Sequence, residues 1–216
     1  MDLIELWPPF GVRLTCGPLE LRTLRDDDIP ELAELALAGV EAEGVAVMPF
    51  EVAWHREDPA SLPASMARFY WGSRSRFTAE AWSLMLVVRR SGTVVGAQDV
   101  MGRDFLKTRS LETGSWLGRA HHRQGTGTLM RQMVAAFAFD HLDAEELTST
   151  FYQGNLASQG VSERVGYVEA GRRRAPREEG WAWRHEMVLT PERFVRPAEH
   201  VVAEGVEAFR TFVGMD

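Results

Sequence analysis

Hydrophobic and polar positions change period several times along the chain, and each change marks an element. Leu19, Leu21 and Thr23 alternate with Glu20 and Arg22, the period of a half-buried strand. Asp26-Asp27-Asp28 then precedes Ile29, Leu32, Ala33, Ala36 and Val40, an apolar stripe at helical spacing with acids at its start. Residues 44–63 carry Pro49, Pro59 and Pro63, which predicts a loop, and a second helix is expected over 61–76. Leu84 to Arg90, the turn pair Ser91-Gly92 and Thr93 to Val100 read as a hairpin. Leu111 to Gly118 is a further strand. Residues 126–141 place Leu129, Met130, Met133, Val134 and Phe137 on one helical face. Glu146 to Tyr152 reads as a strand, Asn155 to Val165 as a short helix, and Tyr167 to Arg173 with Trp181 to Leu189 as a closing hairpin. This order predicts an α+β fold, an α/β sandwich with helices on both faces of one sheet.

Composition narrows the function. The 216 residues hold 24 Lys plus Arg against 31 Asp plus Glu, a net charge of −7, so nucleic-acid backbone binding is not expected. No apolar run is long enough to span a membrane, and Met1 to Gly11 does not read as a secretory signal. A single cysteine, Cys16, excludes an intrachain disulfide and points to a cytoplasmic setting. Seven Trp and eleven Phe stand out, and they belong either to the core or to a pocket or interface.

Ser110 to Gly127 is the most informative stretch, because a strand there ends in a glycine-containing turn that opens a helix. Gly125 and Gly127 let the backbone curl and aim several N–H groups at one anion, and the helix N-terminus adds partial positive charge. The pattern matches neither a P-loop, which needs Lys-Ser/Thr after the second glycine, nor the dinucleotide fingerprint, which needs a third. A turn that merely requires positive φ is the plainer reading. His121-His122 is no metal site, since neighbouring strand residues point oppositely and no ligand cluster accompanies them.

Taken together, His122-Arg123-Gln124-Gly125-Thr126-Gly127, then Asn155 and Ser158, then Gly166-Tyr167, with Leu19-Glu20-Leu21-Arg22 upstream, resemble the GNAT superfamily of acyl-CoA N-acyltransferases. Within it the likeness is to the branch that acylates ribosomal-protein N-termini, over roughly residues 12–190. Met48-Pro49-Phe50 with Trp54, Gly114-Ser115-Trp116-Leu117-Gly118 and Phe137-Ala138-Phe139 look like a mycobacterial-type subgroup proposed to transfer succinyl groups.

The resemblance implies a mixed, mostly antiparallel sheet split by a V-shaped opening between strands 112–118 and 146–152. Acetyl-CoA or succinyl-CoA would lie in the split and an amine, on a protein or a small molecule, would attack the thioester directly, with no metal. Trp116, Leu117 and Gly118 would meet the pantetheine arm; Arg123, Gln124, Gly125, Thr126, Gly127 and Thr128 would hold the pyrophosphate; Asn155 and Ser158 would flank it. Met48, Phe50, Trp54 and Gln98 would form the acceptor pocket, with Phe69, Tyr70 and Trp71 in the same wall.

Glu112 is the first candidate base, its pKa raised by burial beside Trp116, and an exposed strand carboxylate is the equal alternative. Asp99 is the second. The family often has a Tyr where this chain has Ser162, so Ser158 is the expected partner of the leaving thiolate, unless it only starts a helix. Asn155 also suits a helix N-cap. Arg172-Arg173-Arg174 with Arg177 reads as a solvated hairpin tip or as a contact for an acidic group. Residues 191–216 form an apolar appendage expected to pack on the core or a second subunit, and a homo-oligomer is expected.

Overall fold

The computed structural model describes residues 1–41 and 47–215. Residues 44–46 of the expected loop lie outside the described residues. A short helix α1 (Leu3–Leu6) leads into β1 (Arg13–Cys16) and β2 (Leu19–Thr23). The strand read at Leu19–Thr23 is β2, and β1 precedes it as the other arm of a hairpin that turns at Gly17-Pro18, where φ of Gly17 is positive. Helices α2 (Ile29–Leu37) and α3 (Leu62–Ser75) follow, then the long hairpin β3 (Ala81–Arg90) and β4 (Thr93–Arg103). After α4 (Phe105–Thr108) come β5 (Ser110–Leu117), α5 (Thr126–His141), β6 (Glu146–Tyr152) and α6 (Leu156–Val165). The chain closes with β7 (Val168–Pro176), β8 (Trp181–Leu189), β9 (Val202–Glu204) and α7 (Val206–Phe212).

Among the described residues, nine strands join one sheet in the order β7-β8-β6-β5-β4-β3-β2-β1-β9. Among the described residues, the β5–β6 pair is parallel and every other pair is antiparallel. A parallel neighbour requires a crossover, and α5 supplies it.

Period-2 burial sends alternate side chains to two cores. Leu14, Leu21, Leu84, Leu86 and Leu111 pack with Met133 and Phe137 of α5 on one face. Val87 and Ala97 pack with Leu32, Leu62, Met66 and Tyr70 of α2 and α3 on the other. One helical face of α5 was expected to be buried, yet every residue from Met130 to Ala138 is. The sheet covers one side, while α6 and the C-terminal segment cover others. Gln132 donates to the Val195 carbonyl at 2.8 Å, and Phe139 packs on Phe194 at 5.6 Å.

That segment is the appendage expected over 191–216, and it docks on its own core. β9 extends the sheet beside β1, pairing Leu14 with Ala203. Phe209 of α7 is fully buried, 5.4 Å from the Trp82 ring and 6.1 Å from Phe137. A change that empties this site leaves a cavity in the main core. Phe209→Ala should therefore cost about 3–5 kcal/mol in urea unfolding. A loss below about 1 kcal/mol would show that the C-terminal segment only decorates the fold.

Candidate functional site

The centre of the sheet is not continuous. β5 and β6 pair over three rungs, Ser110 with Glu146, Leu111 with Leu147 and Glu112 with Thr148, and no rung follows. At the point of parting, hydroxyls stand in for backbone partners. Thr113 Oγ1 donates to the Thr148 carbonyl and Ser149 Oγ to the Thr113 carbonyl, both at 3.3 Å. Beyond them, Gly114–Leu117 and Thr150–Tyr152 share no rung, and their facing edges line a wedge.

The turn between β5 and α5 closes one end of this wedge. Arg123 and Gly125 both have positive φ, and Gly125 starts α5 at φ +77°. The backbone N–H groups of Arg123 to Thr128 donate no hydrogen bond among the described residues, the first intrahelical donation being Leu129 to Gly125 at 3.1 Å. Such a run of free donors at a helix N-terminus is an anion cradle. A Cβ on Gly127 would lie 3.4 Å from Val161, an ordinary van der Waals contact, which places α6 directly beside the cradle. Asn155 caps α6, its Oδ1 accepting from Ser158 N–H at 3.1 Å, and Ser158 is half-buried beside the turn. His122 Nε2 lies 3.1 Å from the Leu117 carbonyl.

Arg90 was not among the sequence candidates. It donates to the Gln124 carbonyl at 3.1 Å and to Thr126 Oγ1 at 2.8 Å, which brings a cation to the cradle from the β3–β4 hairpin. No local pattern marks it, because the contact depends on β3 lying two strands from β5.

On the α2/α3 face, Trp116 packs against Trp54 at 5.4 Å, and Trp54 against Phe50 at 5.4 Å. Arg177 donates to the carbonyls of both Met48 and Phe50 and sits over the Tyr152 ring, pinning this wall to β6. Tyr152 is buried with its hydroxyl unpartnered. The expected hairpin-tip position of Arg172–Arg174 is wrong: they lie within β7, with Arg172 over Trp183 and Arg174 over Trp181. Phe69 and Trp71 are about half exposed on the outer side of α3, and Tyr70 alone of that trio faces inward.

Gln98 and Glu112 also differ from expectation. Gln98 points to the α5 face, 1% exposed, and its Nε2 donates to the Gly114 carbonyl at 2.7 Å. It therefore braces β4 against β5 and does not reach the aromatic wall. Glu112 shares the face of Trp116 but is exposed, because it sits at the last paired rung, beyond the apolar cluster that ends at Trp116.

Asp99 takes the buried place. It stands opposite Gly114 in register, and a Cβ on Gly114 would come within 2.6 Å of its Oδ1. Only glycine leaves room for the carboxyl. Oδ1 is buried without a hydrogen-bond partner. Burial pushes the Asp99 pKa up to about 6, with the negative charge of Glu112 adding to the rise and the Gly114 backbone opposing it. Tyr70 on α3 is raised as well, chiefly by burial.

A split between two parallel strands, an amide cradle at its end and a carboxyl with a buried oxygen at its wall make a site for an extended ligand that carries an anionic group. Comparisons with known proteins then show which family the fold serves. Mycobacterium smegmatis RimJ in complex with CoA-disulfide superposes with a TM-score of 0.71 at 20% identity, over 86% of this chain and 89% of that one. RimL, the ribosomal L7/L12 alpha-N-protein acetyltransferase, in complex with coenzyme A gives 0.66 at 14% identity, over 81% and 95%. A GNAT-family acetyltransferase from Bacillus anthracis gives 0.65 at 14%, over 83% and 99%. The Acetyltransferase (GNAT) domain profile matches residues 18–168, more than half of the sequence, and the chain belongs to that family.

Proposed function

We propose that this protein transfers an acetyl or succinyl group from acyl-CoA to a primary amine, by direct attack within a ternary complex. The observation that carries this reading is the parting of β5 and β6 beside a run of unused amides from Arg123 to Thr128. Those amides, with Arg90 behind them, suit the pyrophosphate of CoA. The open edge of Gly114–Leu117, continued by Gly118, suits the pantetheine arm, and Asn155 and Ser158 flank it. The RimL description, an alpha-N-protein acetyltransferase, makes a protein N-terminal amine the first acceptor to test.

The amine approaches from the wall of Met48, Phe50, Trp54 and Trp116. It must reach the thioester as a neutral nucleophile, so its ammonium proton has to leave first. Asp99 is the base in this proposal, because a carboxyl that ionises near pH 6 is mostly deprotonated at neutral pH yet still holds a proton well. Glu112 tunes it as a like-charge neighbour. Ser158 offers a hydrogen bond from its hydroxyl to the departing sulfur.

The test follows thiol release from acetyl-CoA and succinyl-CoA over a panel of peptide and small-molecule amines. Wild-type turnover should rise with pH through about 6 as Asp99 ionises. Asp99→Asn should lower kcat by about 10²–10⁴-fold with CoA affinity unchanged. The same variant has a stability readout with a fixed sign. A carboxyl whose pKa rises from 3.8 to about 6 on folding favours the native state at low pH, and this contribution is lost as pH climbs through that window. Asp99→Asn should therefore unfold less readily at pH 7, by about 1–3 kcal/mol. Saturable CoA binding with no thiol release on any amine would overturn catalysis and leave a non-catalytic acyl-CoA sensor.

A further inference from the structure

Arg131 is the one charged side chain buried in the core of α5, and its surroundings do not neutralise it. The residue is 5% exposed. Its Nη1 donates to Ser162 Oγ at 2.8 Å and its Nη2 to Ser115 Oγ at 3.4 Å, while Nε has no partner. The guanidinium lies 5.8 Å from the centre of the Tyr167 ring. No carboxylate forms an ion pair with it among the described residues. Arg22 and Arg89 behave differently, since both pair with the buried Asp28, at 2.6 and 3.0 Å. Burial lowers the Arg131 pKa, with Tyr167 and Asp99 pulling the other way, but a guanidinium remains charged. A buried cation held only by hydroxyls is costly to keep unless an anion meets it.

Its position says where that anion forms. Ser115 is on β5, one residue beyond Gly114, which faces Asp99 in register. Asp99 stands on the α2/α3 face and Arg131 on the α5 face, so a carboxyl and a cation act on the same point of the split from opposite sides. Ser162 is on α6, one turn beyond Ser158, on the other flank of the split. Because Arg131 donates to both serine oxygens, each serine keeps its own proton to donate onward.

Resting on the acyltransferase reading, we infer that Arg131, with Ser162 and Ser115, is the anion-stabilising group for the thiolate released from CoA. In the step it serves, the ammonium proton has already passed through Asp99 to water; the neutral amine nitrogen bonds to the thioester carbon and sheds its second proton to the ionised Asp99. The carbon–sulfur bond breaks with its electron pair remaining on sulfur. The new negative charge meets the field of Arg131 through the Ser115 hydroxyl on β5, while Ser162, 1% exposed, anchors the guanidinium from α6. Arg131 is thus a positioning residue with a charge, and Ser162 occupies the place where the family often has a tyrosine.

The experiment uses the intact protein with CoA and with desulfo-CoA, which lacks the thiol. The ultraviolet absorbance of the thiolate, followed against pH, gives the point at which bound CoA ionises. In wild type that point should fall about one pH unit or more below that of free CoA, a tenfold shift in ionisation. Arg131→Met should return it to the free value or above, and Arg131→Lys should keep part of the shift. Desulfo-CoA should bind wild type and both variants alike. A wild-type thiol that ionises as free CoA does, or a shift that survives in Arg131→Met, would overturn the assignment while leaving the acyltransferase reading in place. If wild type binds neither molecule, that reading fails and this one falls with it. Should Arg131→Met not fold, the wild-type measurement and Arg131→Lys decide alone.

Discussion

Everything in this protein is arranged around a parallel ladder that stops after three rungs. A sheet interior cannot leave backbone N–H and C=O groups without partners at no cost. β5 is held by β4 on one side and β6 by β8 on the other, so the opening between them is framed by rigid strands. Thr113, Thr148 and Ser149 finish the vertex with their hydroxyls. Two open strand edges then face each other, and a ligand with its own amide groups is the natural complement.

The crossover helix α5 turns this opening into a chemically graded site. Its N-terminus brings free amides to the mouth, and its interior carries Arg131 beneath the strands. Asp99 lies on the other face of the sheet, held in a niche that Gly114 keeps open. Negative and positive groups are separated by one layer of backbone, and the proposed proton removal and leaving-group departure use its two sides. The aromatic wall of Phe50, Trp54 and Trp116 lies on the same face of the sheet as Asp99, whose pKa is raised by burial.

Local patterns in the sequence revealed much of this and missed the rest for definite reasons. Period-2 and period-3.6 patterns located the strands from β2 to β8 and the helices α2, α3, α5 and α6, because their apolar residues recur at the spacing of each element, even where, as in α5, burial extends all round. Gly125 and Gly127 marked the cradle because tight turns restrict residue type locally. Glu112 ranked above Asp99 because alternation assigns a face but not what covers it; the covering helices come from elsewhere in the chain. Gln98 was misplaced for the opposite reason, since its parity puts it behind the sheet. Arg90, Arg131, Tyr152 and Arg177 gained their meaning only from contacts between distant segments. The same holds for β9, whose pairing with β1 joins the two ends of the fold.

Hydrogen exchange on addition of acetyl-CoA tests the central claim most directly, because it reads the backbone of the split without presupposing an acceptor. Saturating acetyl-CoA should slow exchange at Arg123 to Thr128 and along Gly114 to Leu117, while the paired rungs from Ser110 to Glu112 stay as they were. Protection absent from both segments, or spread evenly over the sheet, would contradict a ligand seated between β5 and β6.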